Sequence, residues 1–258
     1  MYEKINTISV FSLWRDSQKH INRTLSSLEA LERKHNEIKF SYYFYENDSV
    51  DSTKDILKHW LTNRNSRLEC ENLNFTQEHQ VITPSRMQKM AYYRNKMINL
   101  GRFLKTDYSI ILDSDVIFED TILEQYFSKL DAETVMYTPN IIQNIKCKYC
   151  DCNKYSYYDV AALIDENNAR GLCWSHNPFQ NIFDRINFEK EKPISVKSAF
   201  GGFVFIKSDI LNYCNWRTEN DCEHILFCEQ VKKYGKIKLF PDIKVKVELD
   251  EETLKKYG

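Results

Sequence analysis

Apolar and polar positions along the chain follow two rhythms, and the switches between them mark out strands and helices. Ile5 to Leu13 is an apolar-rich run of the kind that forms a buried strand. Ile21, Thr24, Leu25, Leu28 and Leu31 then recur at spacings of three and four, which places them on one face of a helix. Lys39 to Tyr45 is dense in aromatic residues and predicts a second strand. After it, Ser52-Thr53-Lys54-Asp55 has the form of a capping box, and Ile56, Leu57, Trp60 and Leu61 supply the apolar face of a second helix. Arg67 to Leu73 predicts a third strand. A long helix over about Ser85 to Leu104 follows, then a short apolar strand, Tyr108 to Leu112, that runs directly into Asp113-Ser114-Asp115.

Strand–helix alternation of this kind implies a mainly parallel sheet covered on both faces. The fold class is therefore α/β: a Rossmann-like domain with a mixed, mainly parallel central sheet flanked by helices. Six glycines, five prolines and no repeat or linker tract leave one continuous domain, 1–258, as the simplest organisation. In such sheets ligands bind beyond the carboxyl ends of the strands. Polar residues at those ends are the candidates for chemistry.

Composition narrows the classes of function. With 42% hydrophobic and 28% charged residues the chain reads as a soluble globular protein. A net charge of −1 gives no field that would draw in nucleic acid, which is not expected as a partner. No apolar run reaches the ~18 residues of a membrane span, so a transmembrane segment is not expected and only peripheral membrane contact stays open. The start, MYEKINTISVFSLW, lacks the basic and apolar regions of a signal peptide, and a cytoplasmic location is the expectation. The eight cysteines are too dispersed for a secreted disulfide framework, and reduced thiols are expected.

Two acidic clusters fall at predicted strand ends: Glu46-Asn47-Asp48-Ser49 and Asp113-Ser114-Asp115. Two carboxylates leaving a buried strand edge crowd like charges together, which is costly unless a cation joins them. Oxygen ligands select a hard ion such as Mn²⁺ or Mg²⁺. In the preceding helix, Arg94 lies on or beside the stripe formed by Met87, Met90, Ala91, Met97 and Ile98. A guanidinium there needs an anion, either a phosphate group or a structural partner such as Asp113 or Glu46. Towards the C-terminus, Gly201-Gly202 heads a strand, which suggests close approach of a ligand or another backbone. Cys222-Glu223-His224 then opens a helix whose inward positions are Ile225, Cys228 and Val231, and the helix dipole alone would favour an acid at Glu223.

The order GGFVFIKSDIL, CEH, YGKIKLFPDIKV resembles the acceptor half of GT-A glycosyltransferases. The blocks YENDSVDSTKDIL, RMQKMAYYRNKMINL and the strand into DSD, with YYDVAALIDENN and VKSAFGG, are similar to the fungal capsule-associated α-1,3-mannosyltransferase family. The resemblance consists of scattered blocks between about residues 4 and 247. It implies a GT-A domain with a nucleotide-sugar-binding half, 1–118, and an acceptor-binding half, 119–258. It also implies a hexosyltransferase that takes a GDP- or UDP-sugar donor and a carbohydrate acceptor, with a divalent ion as Lewis acid on the departing diphosphate. Carried over residue by residue, Glu46 and Asp48 would contact the nucleoside and Arg94 the diphosphate. Asp113 would face the ribose or metal, Asp115 would be the main metal ligand, and Gly201 and Gly202 would border the sugar and acceptor. Glu223 or His224 would be the base of an inverting reaction, whereas a retaining reaction, as in the mannosyltransferases, needs none. His224 stands where a second acid is usual, and no later histidine is available as a metal ligand.

Other groupings compete. Cys147-x-x-Cys150-x-Cys152, with Cys173 and His176 further on, has thiol spacing suited to zinc and would pin a loop after the core sheet. Tyr155, Tyr157, Tyr158, Trp174 and Phe179 would form a sugar-stacking platform or simply pack a loop, and Asp159 and Asp165 are secondary catalytic candidates. A catalytically inactive scaffold that binds carbohydrate is one alternative. A sugar nucleotidyltransferase is the other, although no glycine-rich phosphate loop follows the first strand, where Ser12-Leu13-Trp14-Arg15 stands.

Overall fold

The computed structural model describes residues 5–75, 83–219 and 221–249; the outer ends of the single-domain span lie outside them. In chain order the elements are β1 (Thr7–Trp14), α1 (Ile21–Lys34), β2 (Lys39–Asn47), α2 (Thr53–Leu61), β3 (Ser66–Glu71), α3 (Pro84–Asn99), β4 (Tyr108–Asp113), β5 (Val116–Ile117), α4 (Ile122–Phe127), β6 (Thr134–Lys146), β7 (Tyr155–Tyr157), β8 (Ile164–Asp165), α5 (Ile182–Glu189), β9 (Ile194–Ser198), β10 (Phe203–Lys207), α6 (Glu223–Val231) and β11 (Lys236–Val247).

Every strand and helix expected in the first half is present, because each carries its own apolar period. On α1, Ile21, Leu25, Leu28 and Leu31 are all at most 3% exposed. Burying one such side chain is worth about 1.5–3 kcal/mol. Two local expectations fail. Ser52 makes no side-chain cap on α2; instead Asp51 accepts from the Thr53 N–H at 2.9 Å and the Gln18 N–H at 3.0 Å. Helix α3 also stops at Asn99 rather than near Leu104, and its start is capped by Thr83, which accepts from the Arg86 N–H at 3.2 Å.

One eleven-stranded sheet runs β3-β2-β1-β4-β10-β6-β11-β9-β8, with β5 on β11 and β7 on β6. The first four strands are parallel. β10 is antiparallel to both its neighbours, while β6 and β11 are parallel to each other. The sheet is thus mixed, with its parallel part in the N-terminal half. An aromatic layer fills the other half, where Tyr126 lies 6.0 Å from Phe203 and 5.3 Å from Phe205. Strand order reverses at β1: β2 lies on one side and β4 on the other. That switch point lies at the carboxyl ends of β1 and β4, beside Trp14 and Asp113, the place where ligands bind in open sheets of this kind. Among the described residues no helix is long and apolar enough to cross a membrane.

Candidate active site

The site is organised by a buried guanidinium. Arg94, on the inward face of α3, is 3% exposed. Its Nη1 donates to Asp113 Oδ1 and its Nε to Glu223 Oε1, both at 3.1 Å. Burial works against the arginine's charge, but the two carboxylates outweigh it and raise the pKa. One side chain thus ties α3 to the end of β4 and the start of α6. Of the two sequence-level partners, Asp113 is present and Glu46 is not.

The glycine pair assembles the opposite wall. Gly201 and Gly202 have φ of 69° and 61°, in the region that side chains rarely adopt. Gly202 O accepts from the Asp113 N–H at 2.8 Å, and the Gly201 N–H donates to Asp159 Oδ2 at 2.8 Å. A Cβ on Gly202 would stand 2.8 Å from Val116 Cγ2 and 3.4 Å from Asp113 Oδ2. The glycine pair thus hydrogen-bonds to both Asp113 and Asp159 through its backbone.

Asp115 follows at the turn after β4, where Thr24 Oγ1 donates to Ser114 O at 2.8 Å and steadies the loop. Burial, then the nearby Asp113, pushes the Asp115 carboxyl up to about 6. Burial likewise raises Asp159 to about 6, with Asp113 and Glu223 adding to it. Tyr158 projects into the same cluster: burial raises its phenol, and Asp115, Asp159 and Asp113 raise it further. Asp113 and Glu223 thus flank Arg94, while Asp115 and Asp159 lie close enough to Asp113 to feel its charge. The like-charge repulsion is what a divalent ion would relieve. Among the described residues, Asp113 and Asp115 belong to no cage of three protein ligands.

The remaining expected residues sit differently. Glu46 is fully buried, with Oε1 accepting from the Ser49 N–H at 2.9 Å and Oε2 at 3.6 Å from Lys54. Asp48, at φ 56°, accepts from the Leu73 and Asn74 N–H groups at 2.6 and 2.8 Å and from Asn47 Nδ2 at 3.2 Å. Glu46 Oε1 and Asp48 thus hold the loop after β2, while Glu46 Oε2 is buried with no hydrogen-bond partner among the described residues. His224 is also enclosed. Its ring stacks on Phe200 at 3.7 Å, Nδ1 accepts from Trp216 Nε1–H at 3.2 Å, and Nε2 lies 3.5 Å from Glu223 Oε1. Burial, then Arg94 and Arg86, drives its pKa well below the usual value, so the ring is neutral.

Asp165 accepts from the Asn167 and Ala169 N–H groups at 2.8 and 2.7 Å and shapes a turn. Tyr157 and Phe179 are core residues, at 0% and 1% exposure, whereas Tyr155 is exposed and Tyr158 and Trp174 are half-buried. Asp159 was only a secondary candidate in the sequence. Its signal, adjacency to Tyr158 in an aromatic loop, was indistinguishable from packing until the fold brought it to Gly201.

No protein-family model matches the chain, and no curated protein matches it. Solved structures do match in fold. A crystal structure of S. aureus TarS, residues 1–349, superposes with a TM-score of 0.57 at 15% identity, covering 94% of this chain and 60% of that one. GalNAc-T7 with UDP, GalNAc and Mn²⁺ gives 0.56 at 14% identity, covering 96% and 45%. The mannosyltransferase PcManGT from Pyrobaculum calidifontis, in complex with GDP-Man and Mn²⁺, gives 0.55 at 10%, covering 96% and 58%. The chain spans less than two thirds of the length of each of these structures. The likeness lies in the architecture: the chain has the GT-A fold that these proteins share.

Proposed function

We propose that this protein is a glycosyltransferase that moves a hexosyl group from a UDP- or GDP-sugar to a hydroxyl of a carbohydrate acceptor, with Mn²⁺ or Mg²⁺ held by Asp113 and Asp115. The observation that carries this reading is the crowding of Asp115 and Asp159 against Asp113 at the end of β4, where Arg94 is already taken up by Asp113 and Glu223. The oxygen-only donor set suits a hard cation. With no third protein ligand among the described residues closing on the two aspartates, such an ion would leave room for the oxygens of a bound diphosphate. When bound, the ion supplies Lewis acidity for the negative charge that develops on the departing diphosphate.

The protein's own groups do the rest. Arg94 fixes Asp113 at the end of β4, and Glu223 holds Arg94 in turn. Gly201 and Gly202 keep the wall bare where a sugar would approach. Asp159 takes the proton from the acceptor hydroxyl. It is held by backbone N–H groups rather than by a cation, and a carboxyl at about 6 is well poised for that work. Glu223 and His224, the bases expected from the sequence, are committed to Arg94 and to Trp216. A dedicated base favours inversion at the anomeric carbon over the retaining course.

Thermal melting against UDP-, GDP- and CDP-sugars, with and without Mn²⁺, tests the reading, since a ligand that binds only the native state raises the melting temperature. The expected result is a metal-dependent rise with one nucleotide, lost in Asp115→Ala. A rise that survives in Asp115→Ala would point to a carbohydrate-binding scaffold instead. No rise with any nucleotide sinks the donor site.

A further inference from the structure

Away from the carboxylate cluster, at the tip of the β6–β7 hairpin, lies a second group of side chains that glycosyl transfer does not use. Lys146 pairs with Tyr155 across the hairpin, and Cys147, Cys150 and Cys152 all lie in the loop between them. The loop is closed by the Cys147 N–H, which donates to Lys154 O at 2.9 Å, and the Tyr149 N–H points at Cys147 Sγ at 3.5 Å. A separate segment comes alongside, with the Lys148 N–H donating to Trp174 O at 2.9 Å and the Tyr157 N–H to Ser175 O at 2.8 Å. That pairing delivers His176 to the cysteines. Cys173, the other thiol of this region, is not part of the group.

We propose that Cys147, Cys150, Cys152 and His176 bind a structural zinc ion. The Nδ1 of His176 lies 3.4 Å from Cys147 Sγ and 3.5 Å from the sulfurs of Cys150 and Cys152, and Cys147 and Cys150 are 3.6 Å apart. Zn–S and Zn–N bonds of about 2.3 and 2.0–2.1 Å at tetrahedral angles set donor separations of about 3.5–3.8 Å. All four donor atoms lie within 4.8 Å of one another. The outer shell is also built. Glu189 Oε1, at the end of α5, is 2.7 Å from His176 Nε2 and also accepts from Asn177 Nδ2 at 3.0 Å, while Lys154 Nζ donates to Glu189 Oε2 at 2.8 Å. A carboxylate on Nε2 places the proton there and turns the Nδ1 lone pair towards the sulfurs, the usual arrangement behind a metal-bound histidine.

The competing arrangement is a disulfide between Cys150 and Cys152, whose sulfurs are in bonding contact. A cross-link over so short a loop removes little entropy from the unfolded chain. It also leaves the convergence of Cys147, His176 and Glu189 without a purpose. Zinc uses every one of these groups. Four protein ligands close the coordination shell, so the ion is a staple and not a catalyst. It fastens the hairpin to the segment before α5, on the excursion that carries Tyr158 and Asp159 back to the sheet.

The test is the metal content of the whole protein, purified with a thiol reductant from zinc-supplemented cells. The expected result is about one zinc per chain by plasma mass spectrometry, kept in Cys173→Ser and in Asp115→Ala and lost in Cys147→Ser and His176→Ala. Cobalt exchanged into the wild type should show the visible bands of a tetrahedral, thiolate-bound ion. Those wild-type measurements decide the matter even where a variant fails to fold. No zinc in the reduced wild type overturns the assignment, whether or not its mass is two hydrogens short as a disulfide requires. Zinc retained in the Cys147→Ser/His176→Ala double variant also overturns it, by placing the ion elsewhere.

Discussion

Replacing Arg94 by methionine tests the central claim about the site, that one guanidinium holds α3, β4 and α6 in register. Methionine keeps much of the length and apolar stem of the side chain, so the lost charge dominates the effect. Two hydrogen bonds at 3.1 Å disappear. Their costs differ. The side chain of Glu223 is 5% exposed and cannot rehydrate, whereas that of Asp113 is 33% exposed and can. Breaking a buried ion pair on one side costs about 3–5 kcal/mol, and the part-exposed partner adds about 0–1 kcal/mol. For a chain of this size each kcal/mol lowers the melting temperature by about 2–4 °C, so Arg94→Met should melt roughly 6–24 °C below the wild type. Urea unfolding followed by circular dichroism, in a double-mutant cycle with Glu223→Gln, separates the pair from the packing. The double variant should recover most of the loss, because the stranded charge is gone. A loss below about 1 kcal/mol in Arg94→Met, or a double variant no more stable than the sum of the singles, would refute the reasoning.

Further expectations concern the acidic cluster and its glycine wall. Asp115→Asn should not lower the metal-free melting temperature at pH 7, because it removes a half-buried like charge beside Asp113, yet it should abolish the Mn²⁺-dependent response to a nucleotide sugar. A marked destabilisation without metal would count against the repulsion. The carboxyls of Asp115 and Asp159 are raised from 3.8 to about 6 in the fold. These two groups therefore bind protons more tightly in the native state, and their contribution to metal-free stability should fall as pH rises from about 4 to about 6. The lowered pKa of buried His224 acts in the opposite sense, so the readout is the difference between wild type and Asp115→Asn across that range. Mn²⁺ competes with those protons, so its stabilising effect should be larger at pH 7.5 than at pH 5; equal effects would contradict the charge assignment. Gly202→Ala should cost about 1–3 kcal/mol in urea unfolding, more than Gly201→Ala, since the nearest atom to the new Cβ is at 2.8 Å in the first and 3.3 Å in the second. The reverse order would mean that the wall is not packed as described.

Much of this was legible in the sequence, because it is periodic or local. The helix α1 is written in Ile21, Leu25, Leu28 and Leu31, and the parallel sheet in strands that alternate with such helices. Asp113 and Asp115 at a strand end, and Arg94 on an apolar stripe in want of an anion, follow from spacing alone. What the tertiary structure decided is pairing across distance. Glu223 lies 129 residues from Arg94, Gly201 lies 42 from Asp159, and His176 lies 29 from Cys147. No local pattern encodes those meetings; they arise when the order of strands in the sheet brings separate chain ends to one edge. The fold also shows shorter-range contacts that spacing does not, with Glu46 Oε1 held by the Ser49 N–H and His224 Nδ1 by Trp216. A side chain's chemistry is thus set by residue type, but its availability is set by which neighbours the topology supplies.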